Sequence, residues 1–514
     1  MESWLEPLHD AAGMRADDTW AIGERGVPSL ELMEVAGAAL ATAVAELASR
    51  GPVRVVCGKG NNGGDGIVAA RHLAATGFEA EVLLIWPAAE LSDDAASNLG
   101  RLEPDAWCEV EAGMLVDALR GSGAVVDAIF GTGFEGAPRA PAEAAIEAIN
   151  ACDAPVAAAD IASGVDASTG ETQGVAVEAT ATVSFHAAKV GHWIAPGKSS
   201  TGELRVAPIG IPDGAPGQAA ANLITDASLA LPAPRGREST KFSSGQVLVI
   251  GGSRGLTGAV CMAAESAARA GAGYATVAVP AGLEPIFEVK LTEVMSLGVD
   301  GPSDRLGAGA ADQILAAARR AAAVVLGPGL GHADDSLELA RALAQRVEVP
   351  LLIDADGLNA HAGGLERLRE RPAPTVLTPH GGELGRLLGL ESSEVGAHRL
   401  ACAREAAERS GAIVVLKGDD TLVVDSAAGG GRTRLAISPG GSPALATAGT
   451  GDVLSGLVCA LMARGLEPFA AACAGVHAHA VAGREAAAAA GIAESVVATD
   501  VIAQIPAALA RGRR

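Results

Sequence analysis

One pattern recurs along this chain and limits what it can become: a short apolar run, a glycine-rich or polar motif, then a stretch with helical spacing. Val53–Cys57 (VRVVC) reads as a buried strand, GKGNNGGDG at 58–66 as a glycine loop, and Ile67–Thr76 as a helix. Glu81–Trp86, Ala124–Phe130 and Val156–Asp160 read as further strands, the last two running into GTG (131–133) and IASG (161–164). Residues 28–49 read as an amphipathic helix, with Leu32, Val35, Ala36, Ala39 and Leu40 at helical spacing. In the second half, Gln246–Ile250 leads to GGSRGLTGA (251–259), Ala323–Leu326 to GPGLG (327–331), and Leu351–Ile353 to DADGLN (354–359). Val376–Thr378 leads to PHGGE (379–383) and Ile413–Leu416 to KGDDT (417–421). Strands alternating with helical stretches predict parallel sheets covered by crossover helices, an α/β fold in both halves. Such sheets bind ligands at the carboxyl ends of their strands, where these motifs fall.

At 514 residues the chain is long for one core. Residues 211–240 break the periodicity, with Pro and Gly clustered at both ends. The expected division is a first domain over 1–212, a linker over 213–222 and a second domain over 223–514, with 223–240 as its lead-in. Aromatics make up only 3% of the chain while Ala and Gly abound, so helices are expected to pack closely through small residues. The net charge of −23 argues against a nucleic-acid surface and against an anionic membrane partner. Phosphate-bearing ligands must then be held by local N–H groups and a few cations. The seven scattered cysteines form no C-x-x-C, which points to a reduced, cytoplasmic protein. The N-terminus lacks an apolar signal-peptide core, and the Ala-rich run 308–326 carries Asp312, Arg319 and Arg320, a poor membrane span. His477 and His479, two apart, do not share a helix face as a zinc pair would.

The densest motif is AGTGDVL at 448–454, where Gly449, Thr450 and Gly451 run into Asp452 ahead of the helical spacing Val453, Leu454, Leu457, Val458, Leu461. Glycines at a helix start let N–H groups crowd an anion, and a carboxylate there can take a proton from a hydroxyl attacking phosphate. The plain alternative is a capped turn. Five motif-bearing loops on the same rim favour a common ligand cleft. Gly58, Gly60 and Gly63 satisfy G-x-G-x-x-G, but the second strand ends in Ile85-Trp86-Pro87 and the first acid is Glu90, so the dehydrogenase mode is not expected. Lys59 makes no P-loop, and Arg254 could sit near phosphate without completing one. Asn62, Asp127 and Ser163, from three strand-end loops, could supply hard oxygen ligands to a cation, although the residues alone favour a turn, a strand end and a cap.

GNNGGDG, DAIFGTG and D-I-x-S-G-x-D-x-x-T-G (Asp160–Gly170) together resemble the epimerase domain of the NAD(P)H-hydrate repair enzymes, over roughly residues 10–212. The resemblance implies a Rossmann-like three-layer α/β/α domain. It implies that Asn61, Asn62, Gly63, Gly64 and Asp65 line the hydrated nucleotide, and that Gly131, Thr132, Gly133, Phe134, Glu135, Gly136 and Ala137 wrap its phosphates. Asp160 would contact the hydrated ring and relay a proton as the C6 oxygen leaves and returns. Asn62, Asp127 and Ser163 would bind K⁺, and Lys189 matches a lysine of the family. Ala162 stands where the family usually has Pro.

GGS…GA, GPGLG, DADGLN, LTPHGGE, VVLKG and GTGDVL resemble the dehydratase domain of the same system, which has a ribokinase-like fold. By that resemblance Ala259, Gly329 or Gly331, and His380 touch the hydrated dinucleotide. Lys417, Gly418, Asp419, Asp420 and Thr421 hold the adenine nucleotide with Gly451, and Asp452 is the catalytic base at the C6 hydroxyl. The departures are Thr240-Lys241-Phe242 for His-Lys-Gly, Ser442 for Asn and Ala448 for Gly. The implied enzyme is bifunctional. It interconverts R and S NADHX or NADPHX, then dehydrates the S form to NADH or NADPH with ADP (ATP in some relatives) and Mg²⁺. A cytoplasmic homo-oligomer with no nucleic-acid or membrane partner is expected. The rival is a ribokinase-class small-molecule kinase with an N-terminal ligand-binding module, which a stable phosphorylated product would reveal.

Overall fold

The computed structural model describes residues 2–426 and 433–513. It divides into two compact units, Pro7–Ala221 and Met1–Glu6 with Asn222–Arg514. After an initial strand β1 (Leu5–Leu8), the first unit carries β2 (Val53–Cys57), β3 (Ala80–Leu84), β4 (Trp107–Glu109), β5 (Ala124–Ala128), β6 (Val156–Ala159), β7 (Ala181–Phe185) and β8 (Glu203–Ala207). Their order is β4-β3-β2-β5-β6-β7-β8, every pair parallel. The chain steps outward from β2 to β4, returns to β5 and builds the other way, so the topological switch lies between β2 and β5.

Alternate residues of one strand enter opposite cores. Val53, Val55 and Cys57 pack with the helices Ser29–Leu47 and Asn61–Ala75, whereas Val56 packs with Leu115, Ile146 and Ile149. Burial on both faces is why these strands read as continuous apolar runs.

Three strands end one or two residues earlier than expected, at Leu84, Ala128 and Ala159, and the released residues turn onto the rim. The helix expected at Ile67 begins at Asn61, so NNGGDG is helical and only Gly58 to Gly60 remain loop. Its glycines serve close approach. A Cβ on Gly63 would lie 2.0 Å from the Gly58 carbonyl oxygen, one on Gly64 2.6 Å from Met33 sulfur, and one on Gly66 2.5 Å from the Ala128 side chain. Glycine weighs against helix by intrinsic propensity, and packing overrides it here.

The second unit contains β9 (Ala221–Ile224), β10 (Gln246–Ile250), β11 (Tyr274–Pro280), β12 (Met295–Val299), β13 (Ala323–Leu326), β14 (Leu351–Ile353) and β15 (Thr375–Leu377). It continues with β16 (Ile413–Leu416), β17 (Leu422–Asp425) and β18 (Arg434–Ile437). The sheet order is β1-β9-β18-β17-β16-β15-β14-β13-β10-β11-β12. From β12 to β16 it is parallel, with a switch between β10 and β13, and β17 and β18 add antiparallel strands.

The helices Thr257–Arg269, Thr450–Ala463 and Pro468–Ala490 pack through small residues. A Cβ on Gly456 would lie 1.9 Å from the Ala263 carbonyl oxygen, and one on Gly475 2.5 Å from Val458. Residues 1–6, expected in the first domain, belong to this second unit because Trp4 is buried in its core, its ring 6.5 Å from that of Phe469. The segment expected as linker already enters strand at Ala221. Among the described residues no helix is long and apolar enough to cross a membrane.

Candidate active sites

In the first unit the rim at the β2/β5 switch opens on a cavity of about 750 Å³. Asn61, Asn62 and Asp65 reach it from the helix after β2, Gly131 to Glu135 from the loop after β5, and Asp160 from the end of β6. Gly63 and Gly64 are buried in helix packing, and Gly136 and Ala137 are not among the lining residues. Trp86, Phe130 and Phe134 add an aromatic wall, with the two Phe rings stacked at 4.5 Å.

Asp160 has φ of 68°, a backbone state uncommon for a side-chain-bearing residue, and it is held there by its contacts. One carboxylate oxygen accepts from Lys189 Nζ and from the Phe185 N–H (3.3 Å), the other from Thr132 Oγ1 and the Thr132 N–H (2.9 Å). Lys189 is fully buried and also donates to Ser184 Oγ (2.8 Å) and the Phe185 carbonyl (2.9 Å). Burial pushes the Asp160 carboxyl up, but the Lys189 charge and the Lys189 and Thr132 hydrogen bonds outweigh it and hold it below its ordinary value. His192 accepts the Lys189 N–H at Nδ1 (3.0 Å), so Nε2 carries the proton donated to the Asp160 carbonyl (3.0 Å). Burial and Lys189 push its pKa down to about 3, which keeps the ring neutral.

Asp127 is fully buried at the end of β5. It accepts from Ser163 Oγ (2.7 Å), the Ser163 N–H (2.8 Å) and the Ile129 N–H (3.2 Å). Burial raises its pKa to about 6 against these hydrogen bonds, and no cationic side chain is among the groups acting on it. The Asn62 amide has its nitrogen buried without a partner, and a half-turn of the amide would place oxygen there. A buried carboxylate short of positive charge, a hydroxyl and an amide fit a monovalent cation.

Asp18 was not expected in this site, yet it lines the cavity. Its helix, Ala11–Gly23, presents Met14, Asp18 and Ile22 to the cavity at four-residue spacing, which was the signal available in sequence.

In the second unit the five motifs lie at the carboxyl ends of β10, β13, β14, β15 and β16. Gly449 has φ of 92° and starts the helix Thr450–Ala463, with Asp452 in its first turn. Asp354, after β14, is buried, accepting from Lys417 Nζ (3.0 Å) and Ser455 Oγ (2.6 Å). Glu383 lies 3.6 Å from the same ammonium. Burial and the neighbouring Asp354 raise the Asp452 pKa to about 7, with Lys417 opposing. Burial disfavours the Lys417 charge, but Asp354 and Glu383 hold its pKa above the ordinary lysine value.

Gly331 donates its N–H to Asp356 (2.8 Å), a carboxylate that also acts on Asp452. Gly329, with φ of 61°, accepts from Ser253 Oγ (2.9 Å). His380 caps the helix Gly381–Leu388, its Nδ1 accepting from the Gly382 N–H (3.0 Å), while its own N–H donates to Glu383 (2.8 Å). Ala259 lies in the first turn of Thr257–Arg269, which packs along Thr450–Ala463.

Beside this cluster a cavity of about 420 Å³ is lined by Lys417, Gly418, Asp419, Thr421 and Gly451, with Leu445, Leu454 and Val476 as apolar wall. Asp420 is turned away from it, buried and ion-paired with Arg399 (2.9 Å). Sequence reasoning missed the apolar wall because those residues carry no chemistry that marks them.

Fold and sites define a two-unit α/β protein with a carboxylate–lysine centre at the carboxyl rim of each parallel sheet. A family model for NAD(P)H-hydrate dehydratase matches residues 247–507, and one for the YjeF-related protein N-terminus matches residues 29–191. The chain is 38% identical over 501 residues to the bifunctional NAD(P)H-hydrate repair enzyme Nnr of Moorella thermoacetica, covering 93% of this chain and 92% of that one. It is 38% identical over 532 residues to the protein of that name from Salinibacter ruber, covering 98% and 96%. A solved ADP/ATP-dependent NAD(P)H-hydrate dehydratase from Bacillus subtilis aligns with TM-score 0.48 at 24% identity, covering 56% of this chain and 98% of that one. The chain belongs to the bifunctional NAD(P)H-hydrate repair enzyme family.

Proposed function

We propose that the first unit interconverts the R and S epimers of hydrated NADH or NADPH and that the second dehydrates the S epimer at the expense of ADP. The observation that carries this reading is a lysine held against a rim carboxylate in each unit of a chain of this family: the buried Lys189 on Asp160, and Lys417 on Asp354, with the Lys417 charge also acting on Asp452.

In the first unit the hydrated ring enters the cavity beside Asp160, and the phosphates lie against Gly131 to Glu135. Lys189 and Thr132 keep Asp160 ionised and fixed, ready to take a proton from water re-adding at C6. Asn62, Asp127 and Ser163 would hold K⁺, whose charge balances the buried Asp127 carboxylate.

In the second unit the adenine nucleotide occupies the cavity lined by Lys417, Gly418, Asp419, Thr421 and Gly451. Asp452 takes the proton of the C6 hydroxyl as that oxygen attacks the terminal phosphorus, and the resulting phosphate ester is a better leaving group than hydroxide. A pKa near 7 suits a base working at neutral pH. Mg²⁺ neutralises the phosphates when bound.

The test is a mixture of R and S NADHX with Mg²⁺, K⁺ and ADP, followed by the absorbance of regenerated NADH. Conversion of both epimers to completion is expected. A stop at the S fraction would leave the first unit without its activity, and no NADH with either ADP or ATP would overturn the second unit's assignment.

A further inference from the structure

The first-unit cavity holds more acid than the mechanism above uses. Asp18 and Asp65 line it together with Asp160. Asp160 is clamped by Lys189 and Thr132, whereas among the described residues no hydrogen bond or ion pair reaches the Asp18 or Asp65 side chain. Both are partly accessible to the cavity, on two different helices, Ala11–Gly23 and Asn61–Ala75. The site therefore contains one carboxylate in direct contact with a cation and two carboxyls with no cation in contact, on which Lys189 acts only at a distance.

Expulsion of a ring hydroxyl needs a proton donor, and re-addition of water needs an acceptor. We propose that Asp65 is the catalytic acid that protonates the departing C6 oxygen, and that Asp18, facing the same cavity from another helix, is a positioning residue that acts through Asp65. The proposal rests on the reading of this unit as an epimerase.

The C6–O bond breaks as the Asp65 proton moves to that oxygen, which leaves as water, and the N1 lone pair becomes the N1=C6 double bond. Water then adds to the other face of C6 and the double-bond pair returns to N1. The proton released from that water goes to Asp160, which gives it up to solvent, and solvent returns a proton to Asp65. No oxidant or other co-reactant is consumed.

The electrostatics agree with this assignment. Burial, then Asp160 and Asp18, raise Asp65 well above the ordinary carboxylate value, with Lys189 opposing. Burial and Asp160 likewise raise Asp18. The other charged groups near the helix that carries Asp65 do not supply a neutralising partner. Glu34 is paired with Arg71 and His72, Lys59 with Glu90, and Asp94 and Glu135 add further negative charge to the cavity wall.

The experiment measures R-to-S interconversion of NADHX against pH for the full-length protein, Asp65→Asn and Asp18→Asn, with binding of hydrate measured separately. Asp65→Asn is expected to lower the turnover rate by about 10²–10⁴-fold while hydrate still binds. Asp18→Asn is expected to move the alkaline limb of the pH–rate profile to lower pH, because a negative neighbour is lost and Asp65 gives up its proton sooner. A merely structural role for Asp18 would lower the rate equally at every pH. An Asp65→Asn rate that falls far short of that loss of about 10²–10⁴-fold would overturn the assignment and leave the epimerase reading intact. If Asp65→Asn does not fold, an unmoved Asp18→Asn profile overturns it instead. Absence of interconversion in the wild type would overturn the epimerase reading, and this inference with it.

Discussion

Asp452 and Asp160 are both aspartates at the carboxyl rim of a parallel sheet, and their surroundings push them in opposite directions. Asp452 has burial and Asp354 raising it against one lysine, whereas Asp160 accepts directly from a buried lysine and a threonine. A base must be deprotonated to act, so dehydration is expected to fall as pH drops through about 7, where Asp452 takes up its proton. Lys417→Met removes the charge opposing that rise, and the same acid limb should then appear at higher pH, read from initial rates of NADH formation. Asp452→Asn is expected to cut dehydration by about 10²–10⁴-fold and to leave epimerisation unchanged. Equal loss of both activities would argue against its role as the base. Lys189→Met leaves Asp160 buried without its cation. Epimerisation should fall sharply, and the unit should lose about 3–5 kcal/mol of stability, as breaking one side of a buried ion pair does, measured by denaturant unfolding.

At the scale of elements, strands buried on both faces were plain in the sequence. VRVVC, QVLVI and IVVL are runs of β-branched residues bounded by glycine, and Val53–Cys57, Gln246–Ile250 and Ile413–Leu416 form over those residues. The start of the helix at Asn61 was not legible, because glycine speaks of turns until the Gly58 carbonyl and Met33 are known to press on it. The same limit hid why Gly456 stands inside a helix. Gly456→Ala is expected to force Thr450–Ala463 away from Thr257–Arg269, lowering stability by about 1–3 kcal/mol or more, with a lower Tm and weaker nucleotide binding. An unchanged Tm would show that the two helices yield at little cost. In the candidate sites, residues in glycine-rich motifs were found from sequence, whereas Asp18, Trp86 and Leu454 were not, since Asp18 and Leu454 lie on helix faces, Trp86 follows a strand end, and each meets the cavity only after folding.

At the scale of the whole molecule, the two proposed sites draw on separate residues, so the two activities should be separable by mutation. Protein carrying Asp160→Asn is expected to consume S-NADHX at the wild-type rate and to stop at the S fraction of a mixture. Mixing it with the Asp452→Asn variant should restore full conversion, because each protein then supplies the activity the other lacks. Failure of the mixture would mean that one of the substitutions damages both units.

The pairing of the first strand has its own consequence. The Ala220 N–H donates to the Leu8 carbonyl (2.9 Å) and the Thr225 N–H to the Trp4 carbonyl (3.2 Å), so β1 and β9 run side by side in opposite directions. In the grammar of hairpins, residues 9–219 occupy the place of the turn. Loop-closure entropy grows only with the logarithm of length, which is why so long an excursion is tolerated there. Splicing a few-residue turn between Leu8 and Ala220 should therefore give a contiguous, folded dehydratase, whereas a fragment cut cleanly at Asn222 would lose Trp4 from its core and one strand from its sheet edge.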